Sequence, residues 1–297
     1  MNPLSVEVVN PSKIFWPDEG ITKNDLIQYY RSVAKFMVPH LENRPQSLHR
    51  HPNGIDKPGF YQKDVAHSTP PWIKTVDVRH ESGKNVHYLV ATDEASLIYM
   101  ANLGCIEINP WFSTVDALRK PDFLVIDLDP EGVVFDGVVE TALAVNETLK
   151  EAGAEGFCKT SGATGLHIHV PIGARYEYDV ARNFAHLICQ LVHEKLPKLT
   201  SIERSPGKRQ SQVYLDYLQN SMGQTLAAPY SVRPRPGAPV STPLEWKEVK
   251  MGLTPGAFTI KTVGERLEKK GDLFRPVLGK GVDLQKCIRR LDKTLGA

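Results

Sequence analysis

Hydrophobic and polar positions divide this chain into short strands that alternate with longer helices. The clearest strand is the continuous apolar run at 123–126, which lies inside the segment 122–130 with the sequence DFLVIDLDP. Weaker strand patterns lie at 5–10, 86–91, 105–108, 166–170 and 213–218. Apolar residues at helical spacing predict helices over 22–38, 93–104, 137–151, 179–196 and 262–270.

Capping residues and helix breakers set the expected helix boundaries. Thr22 followed by Asp25 matches a capping box, and Pro39 is expected to end the same helix. Asp93 and Asp179 are expected to cap two later helices. A segment rich in proline, 228–246, is expected to be an ordered connection without secondary structure of its own.

Composition limits the class of protein more than its function. The 297 residues are 41% hydrophobic and 24% charged, which suffices for one large domain or two small ones. The formal charge of +2 requires that any nucleic-acid surface be local. The four cysteines lack metal-binding spacing, which indicates reduced, buried thiols. No signal core or membrane-spanning stretch is present, so we expect a cytoplasmic protein without membrane contact.

Asp127 and Asp129 place two carboxylates at the end of the clearest predicted strand. Alternate residues of a strand share a face, so the two side chains leave the sheet on the same side. Hard divalent cations such as Mg²⁺ or Mn²⁺ prefer carboxylate oxygen, which favours a metal site. A bare D-x-D is equally compatible with two solvated aspartates where a strand meets its turn.

A glycine-rich turn follows at 161–165, and its amide groups are candidates for binding an anion. His167 and His169 then alternate with aliphatic residues, so both occupy one face of a predicted strand. Two histidines directly after such a turn favour phosphate contact over a purely structural role.

Further along the chain, the predicted strand at 213–218 contributes a third carboxylate, Asp216, and the proline-rich segment contributes Arg233. Three carboxylates are able to hold two divalent ions beside a reacting phosphate, and guanidinium binds phosphate in a bidentate manner. Earlier in the chain, Phe60 and Tyr61 lie in a basic loop that suits either base stacking or ordinary core packing. The reaction class that fits this set is nucleotidyl transfer.

Several long motifs together resemble the polymerase domain of bacterial and archaeal non-homologous end-joining ligases, within the archaeo-eukaryotic primase superfamily. In chain order they are NPSKIFWPDEGITK (10–23), DFLVIDLDP (122–130), TSGATGLHIHVP (160–171), VYLDYLQN (213–220) and APYSVRPRPGAPVSTPLEW (228–246). The resemblance implies an α+β fold with two lobes of mixed or antiparallel sheet, flanked by helices, and an active-site cleft between them. It also implies that residues 1–297 form a single catalytic domain, here as a stand-alone polymerase.

Each matching motif implies a role for particular residues of this chain. The resemblance implies a two-metal catalytic site, holding Mn²⁺ or Mg²⁺, at Asp127, Asp129 and Asp216. It implies nucleotide contacts, to an NTP or dNTP, from Ser161, Gly162, Thr164, His167, Arg233 and Asn109. It implies DNA contacts from Asn10, Lys13, Lys23, Phe60, Tyr61, Lys63 and Arg209. Lys13 and Lys23 match the pair that grips the 5′-phosphate of the downstream strand.

Two positions depart from the family pattern. Some relatives have Lys where this chain has Thr164, and relatives that select ribonucleotides have His where Asn109 stands. Because an amide still hydrogen-bonds a ribose hydroxyl, a preference for ribonucleotides remains the expectation.

The implied function is a template-directed repair primase-polymerase that extends primer 3′ ends at gaps and double-strand breaks. Expected partners are DNA ends with a 5′-phosphate, primer-template, Ku and a separate DNA ligase, in a nucleoid-associated setting. Two alternatives remain at this point. One is a HAD-type phosphatase, whose nucleophile motif also has D-x-D after a strand. The other is a non-catalytic DNA-end-binding module.

Overall fold

The computed structural model describes residues 6–66, 69–80, 83–209 and 211–295. Its strands are β1 (Ile14–Trp16), β2 (Ile21–Thr22), β3 (Gln46–Arg50), β4 (Phe60–Gln62), β5 (Thr75–Arg79), β6 (Asn85–Leu89), β7 (Cys105–Pro110), β8 (Phe123–Glu131), β9 (Phe157–Thr160), β10 (Leu166–Pro171), β11 (Thr200–Ser201), β12 (Gln212–Asp216) and β13 (Pro243–Leu244). Its α-helices are α1 (Lys23–Leu41), α2 (Glu94–Asn102), α3 (Phe135–Ala152), α4 (Tyr178–Lys195), α5 (Val263–Lys270) and α6 (Leu284–Leu295).

The chain divides into two compact units. Unit 1 comprises residues 1–116, 225–242 and 258–272, and unit 2 comprises residues 117–224, 243–257 and 273–297. Each unit has its own sheet and helices.

Unit 1 is built on the long helix α1 and the antiparallel sheet β4-β3-β7. Thr22 and Asp25 form the expected capping box at the start of α1. The apolar face of this helix is fully buried, and it packs against α2. The largest side chains in this core include Trp16, Leu26, Ile27, Tyr30 and Met37. Burial of the apolar face of α1 positions the sheet β4-β3-β7, which carries candidate DNA and nucleotide contacts.

Unit 2 is built on a six-stranded sheet with the order β11-β12-β8-β10-β9-β13. β8 lies inside this sheet and pairs antiparallel with both β10 and β12, while β11 and β12 are parallel. Helices α3 and α4 pack against each other and against β8. Along β8, Leu124, Ile126 and Leu128 point to one face of the sheet, and the aspartates point to the other. The α+β fold class with mixed sheets is therefore confirmed.

Some boundaries differ from the sequence prediction. Pro39 lies inside α1, because the buried His40 and Leu41 continue the last turn and His40 Nε2 lies 2.9 Å from Asp272 Oδ2. Helix α4 begins at Tyr178, and its N-cap residue is Glu177, which makes no side-chain capping hydrogen bond, so Asp179 lies in the first turn. Residues 6–10 form no strand, and residue 5 lies outside the described residues.

Two further differences concern strands. β8 continues through Pro130 to Glu131, where the prediction ended it at the proline. The proline-rich connection contributes the short strand β13, which pairs with β9. Within the described ranges, no helix combines the length and the apolar character needed to cross a bilayer.

Candidate active site

Two paired strands of unit 2 bring the three aspartates to one face of the sheet. Asp216 of β12 lies directly opposite Asp127 of β8, and Tyr214 lies opposite Asp129. Residues directly opposite in an antiparallel pair point the same way, with Cβ atoms about 4.5–5.5 Å apart. Asp129 follows Asp127 by two residues and shares its face. The backbone register thus groups three carboxylates contributed by two separate segments.

The Asp216 carboxylate is oriented by the turn that follows β12. Its Oδ1 accepts a hydrogen bond from Leu218 N at 2.8 Å, and its Oδ2 accepts one from Gln219 Nε2 at 3.2 Å. No set of three or more His, Cys, Asp or Glu side chains has metal-binding geometry in the part of the chain that the structure describes. The donor set itself fits a hard divalent cation, since ionised carboxylates are acceptor-only oxygen ligands.

The glycine-rich turn between β9 and β10 is closed by its own serine. Ser161 Oγ accepts hydrogen bonds from Ala163 N and Gly165 N, both at 3.0 Å. Gly165 packs so tightly that a Cβ atom there would lie 2.2 Å from Leu128 O. Any side chain at this position would therefore separate the turn from β8. The loop amides that take no part in this closure belong to Gly162 and Thr164.

His167 joins the turn to the carboxylates through β10. Its Nε2 lies 3.3 Å from Asp127 Oδ1, and its Nδ1 lies 2.8 Å from the ammonium nitrogen of the fully buried Lys159. An ammonium group only donates hydrogen bonds, so His167 Nδ1 accepts, and in the neutral ring Nε2 carries the hydrogen. This arrangement presents a hydrogen-bond donor beside Asp127.

His169 has a different environment from His167. Its ring packs against Phe123 and Phe274, with centroid distances of 4.8 and 4.9 Å. The ring is buried between these aromatic side chains, so of the two histidines the structure places only His167 next to a candidate catalytic aspartate.

A polar pocket of about 250 Å³ adjoins Asp216 on unit 2. Arg209 lines it, with its guanidinium 3.4 Å from the Tyr214 ring centroid and its Nη1 3.2 Å from Glu131 Oε1. Its Nε also donates to Glu203 O at 2.7 Å. Arg209 is therefore held against the protein by several contacts at once, which orders the pocket wall.

On unit 1, three of the candidate DNA contacts lie together at the N-terminal end of α1. Lys13 N donates to Asn10 O at 3.2 Å, and Lys23 N donates to Lys13 O at 2.8 Å. Lys23 Nζ is buried and donates to Val9 O at 2.6 Å. Burial lowers the pKa of Lys23, and the positive charges of Lys13 and Arg50 lower it further. Two lysines and an asparagine thus form the predicted cationic cluster.

The aromatic pair of β4 is exposed on unit 1. Tyr61 is 58% exposed and stacks on His49 at 4.2 Å with an interplanar angle of 9°. The Arg50 guanidinium lies over the Phe60 ring, with Arg50 Cζ 5.3 Å from the centroid of that ring. Lys63 lines the adjacent groove of about 440 Å³. Exposed rings beside cationic groups are the arrangement that binds single-stranded nucleic acid.

Arg233 and Asn109 both contact the buried Glu107 of unit 1, Arg233 at its carboxylate and Asn109 at its backbone carbonyl oxygen. Arg233 Nε lies 2.9 Å from Glu107 Oε2, and Asn109 Nδ2 donates to Glu107 O at 3.4 Å. Burial opposes the charged form of Glu107, but hydrogen bonding from His49 and the charge of Arg233 outweigh it and lower its pKa.

The segment that carries Arg233 is anchored to the core of unit 1. Val232 N donates to Tyr30 Oη at 3.1 Å, and Ser231 Oγ accepts from Ile108 N at 2.9 Å. Tyr230 adopts a φ of 68°, an uncommon conformation for a residue with a side chain. Its hydroxyl donates to Asp272 Oδ1 at 2.6 Å, which stabilises this conformation.

Comparison with known protein families identifies the class of this site. The family model described as "LigD, primase-polymerase domain" matches residues 22–274. The chain belongs to the LigD primase-polymerase family. Proteins of this family are DNA-directed nucleotidyltransferases that act in non-homologous end joining, so the predicted enzyme class is confirmed.

Individual LigD proteins are similar over most of this chain. The multifunctional non-homologous end joining protein LigD of Mycolicibacterium smegmatis is 32% identical over 277 residues, which is 92% of this chain and 36% of that protein. The bifunctional LigD of Bacillus subtilis is 33% identical over 265 residues, 88% of this chain and 42% of that protein. The chain thus spans about two fifths or less of the length of these relatives.

A solved structure of the LigD family confirms the fold. The polymerase domain of Mycobacterium tuberculosis ligase D, in complex with DNA, superposes with a TM-score of 0.87 at 30% identity. The match covers 94% of this chain and 99% of that one. A HAD-type phosphatase carries its D-x-D strand in a parallel sheet, whereas β8 is antiparallel to both neighbours. The family match and this topology set the phosphatase alternative aside.

Three residues of this LigD-type site were missed by the sequence prediction: Lys159, Glu107 and Gln219. Lys159 lies in the same motif as Ser161, but a lysine in a strand gives no sign that it will be buried. The partner of Glu107 follows from the register of β3 and β7, and the partner of Gln219 follows from the geometry of the turn after β12, neither of which the sequence pattern predicts.

Proposed function

We propose that this chain is a template-directed, divalent-metal-dependent polymerase that extends primer 3′ ends at gaps and breaks during non-homologous end joining. The observation that carries the proposal is the register of β8 and β12, which groups Asp127, Asp129 and Asp216 on one face of the sheet. The family match supplies the reaction class, and these carboxylates supply the chemistry that it requires.

The three aspartates would hold Mg²⁺ or Mn²⁺. When bound, the cations would activate the primer 3′-hydroxyl and neutralise charge on the triphosphate. The 3′-hydroxyl loses its proton to solvent water, its oxygen forms a bond to the α-phosphorus, and the bond from that phosphorus to the pyrophosphate leaving group breaks. His167 donates from Nε2 beside Asp127, and the Ser161 turn provides amides for phosphate oxygens.

The residues of unit 1 would bind the remaining parts of the substrates. Arg233 would bind the triphosphate and Asn109 the sugar, with a preference for ribonucleotides. Phe60 and Tyr61 would stack at the templating position, with Lys63 beside the strand. The cluster of Asn10, Lys13 and Lys23 would bind the 5′-phosphate of the downstream strand. Ku and a separate DNA ligase are the proposed protein partners.

Primer extension on a gapped duplex tests this proposal. The wild-type protein should add templated nucleotides and release pyrophosphate only when a divalent cation is present. It should use ribonucleotides more efficiently than deoxyribonucleotides, and a 5′-phosphate on the downstream strand should stimulate it relative to a 5′-hydroxyl. Absence of templated addition under all these conditions would contradict the proposal.

The second candidate function is DNA-end binding without catalysis, which the cationic cluster of unit 1 favours. This function predicts tight binding of 5′-phosphorylated ends with no nucleotide addition. The same gapped substrate therefore separates the two functions in one experiment.

A further inference from the structure

Glu107 is a carboxylate in the interior of unit 1, only 3% exposed, at the third position of a buried strand. An ionised carboxylate is retained in such a place only when it is paired and hydrogen-bonded. Its pKa is lowered despite burial, so the group is charged at neutral pH. The retention of this buried negative charge in β7 therefore indicates that Glu107 has a role beyond packing.

Strand register places Glu107 at one end of a row of side chains that crosses the sheet. Tyr61 of β4 is opposite His49 of β3, and His49 is opposite Glu107 of β7. Tyr61 stacks on His49, and His49 Nδ1 lies 3.3 Å from Glu107 Oε2. Because a carboxylate only accepts, His49 Nδ1 carries the hydrogen of this contact. The orientation of the exposed Tyr61 ring is thus linked to a buried charge.

A neighbouring histidine fixes the other side of the His49 ring. His51 Nε2 lies 3.2 Å from His49 Nε2, so one nitrogen donates and the other accepts. With Nδ1 of His49 already protonated, a neutral His49 accepts at Nε2 and His51 donates. A Cβ atom at Gly59 would lie 2.3 Å from His51 Nε2, so His51 is held in place by close packing.

The same Glu107 oxygen that faces His49 also faces Arg233. Arg233 Nε lies 2.9 Å from Oε2, and Asn109 lies two residues along β7 on the same face, with its amide donating to Glu107 O. One residue therefore contacts the side chain proposed for the triphosphate and the one proposed for the sugar. Through His49 it also reaches the ring proposed for the templating base.

We propose that Glu107 is a positioning residue that orients Arg233 and Asn109 for the incoming nucleotide and sets the ring plane of Tyr61 through His49. This inference rests on the proposed polymerase function. Glu107 takes part in no bond-making step. The carboxylate holds the Arg233 guanidinium from its Nε side and so sets the direction in which this side chain meets the phosphates. Its hydrogen bond with the Asn109 side chain aligns that amide for the sugar. Glu107 thereby affects nucleotide affinity and sugar selection, although it contacts neither the phosphates nor the sugar.

Glu107→Gln tests the proposal, because it keeps the shape of the side chain and removes the charge. We expect KM for the nucleoside triphosphate to rise roughly tenfold or more, because Arg233 loses its buried charge partner, with kcat changed little. The preference for ribonucleotides over deoxyribonucleotides should fall toward unity. A 2-aminopurine at the templating position should lose part of the quenching that stacking on Tyr61 produces. Glu268→Gln, an exposed change in α5 of the same unit, is the matched control and should behave as wild type.

Three outcomes would overturn the proposal. One is a folded Glu107→Gln protein with wild-type KM and sugar preference. Another is an equal loss of kcat on every substrate with KM unchanged, which indicates a purely structural role.

If Glu107→Gln does not fold, Glu107→Asp tests the proposal instead, because it keeps the charge and withdraws it by about 1.5 Å. A wild-type KM in that variant would be the third contradicting result. Failure of the proposed function is distinct, since wild-type protein would then extend no primer.

Discussion

At the scale of single residues, Lys159 is the cation that organises the phosphate-facing side of unit 2. Its ammonium group is fully buried and lies 2.8 Å from His167 Nδ1. A lysine in this position can only donate, so it leaves His167 Nε2 as the donor that faces Asp127. Lys159 thus determines which nitrogen of His167 carries the hydrogen, and this is the nitrogen that the proposed function assigns to a phosphate oxygen.

Replacing Lys159 with Met should lower kcat/KM for primer extension by roughly 10- to 100-fold, because loss of a charged hydrogen bond costs about 1.5–3 kcal/mol. Nitrogen chemical shifts of His167 should show the Nε2–H form in wild type and a mixture of forms in the variant. Lys150→Met, an exposed change in α3, should leave both measurements unchanged. A wild-type kcat/KM in Lys159→Met would contradict this role.

The proposed contact of Lys23 with the 5′-phosphate predicts a response to that phosphate that depends on pH. Its pKa lies below the ordinary lysine value, mainly because it is buried and also because Lys13 and Arg50 repel its charge. As pH rises, Lys23 therefore loses its proton before an exposed lysine does. The ratio of affinities for 5′-phosphorylated and 5′-hydroxyl DNA should therefore fall as pH rises, and the fall should begin below the pH at which an exposed lysine loses its charge.

Filter binding or fluorescence anisotropy on gapped DNA measures this ratio. Lys23→Met should give a low ratio that changes less with pH, and Lys35→Met, an exposed change in the same helix, should follow wild type. A wild-type ratio that is constant over the whole pH range would show that Lys23 does not bind the phosphate.

At the scale of elements, the turn after β9 depends on close contact with β8. A Cβ atom at Gly165 would lie 2.2 Å from the backbone oxygen of Leu128 and 3.5 Å from Asp129 Oδ1. Gly165→Ala should destabilise the fold by about 1–3 kcal/mol, as overpacking does, and should lower extension activity by displacing the Ser161 turn.

Urea denaturation of the variant measures this cost. Gly256→Ala is the matched control, because its Cβ atom would meet open space, and it should change the free energy of unfolding by no more than about 0.5 kcal/mol. Equal stabilities for the two alanine variants would contradict the tight contact between the turn and β8.

The elements also show how far the sequence alone can predict this site. The apolar run before Asp127 predicted β8, and the capping box of Thr22 predicted the start of α1, because both signals are local. The sequence suggested Asp216 as a third carboxylate, but its position directly opposite Asp127 depends on register between distant segments, which no local pattern predicts. Pro39 remained within α1 because tertiary burial of His40 outweighs a local helix-breaking preference.

The roles of Glu107 and Lys159 were not predictable for the same physical reason. Each is a charged residue in a strand, and charged residues are usually exposed. Their burial follows from neighbours on other strands, His49 for Glu107 and His167 for Lys159, which a linear pattern does not reveal.

At the scale of the whole molecule, the net charge of +2 is too small to bind DNA through a general field. The proposed function therefore assigns most of the phosphate contacts to the cationic cluster at Lys13 and Lys23 and to the groove beside Lys63. Binding to gapped DNA should therefore weaken with salt in proportion to these few contacts.

The buried cysteines report on cooperative unfolding of the chain. Burial raises the pKa of Cys158 in unit 2 to about 12 and raises the pKa of Cys105 in unit 1. Because the thiolate is the reactive form, neither should react with a disulfide reagent in the native protein at about pH 8. The predicted single domain requires that both become reactive at the same urea concentration.

Mass spectrometry of labelled peptides across a urea series follows the two cysteines separately. Distinct midpoints for Cys105 and Cys158 would show that the two units unfold independently, and the single-domain prediction would then be wrong.

The central claim is that the carboxylates of β8 and β12 carry out nucleotidyl transfer. The most direct measurement is single-turnover primer extension on gapped DNA by Asp127→Asn, Asp129→Asn and Asp216→Asn, with binding of 5′-phosphorylated ends measured in parallel. Each variant should bind DNA nearly as wild type does and lose extension by a factor of at least about 1,000, the scale expected for removal of a catalytic group. Extension at wild-type rates by any folded variant would contradict the claim.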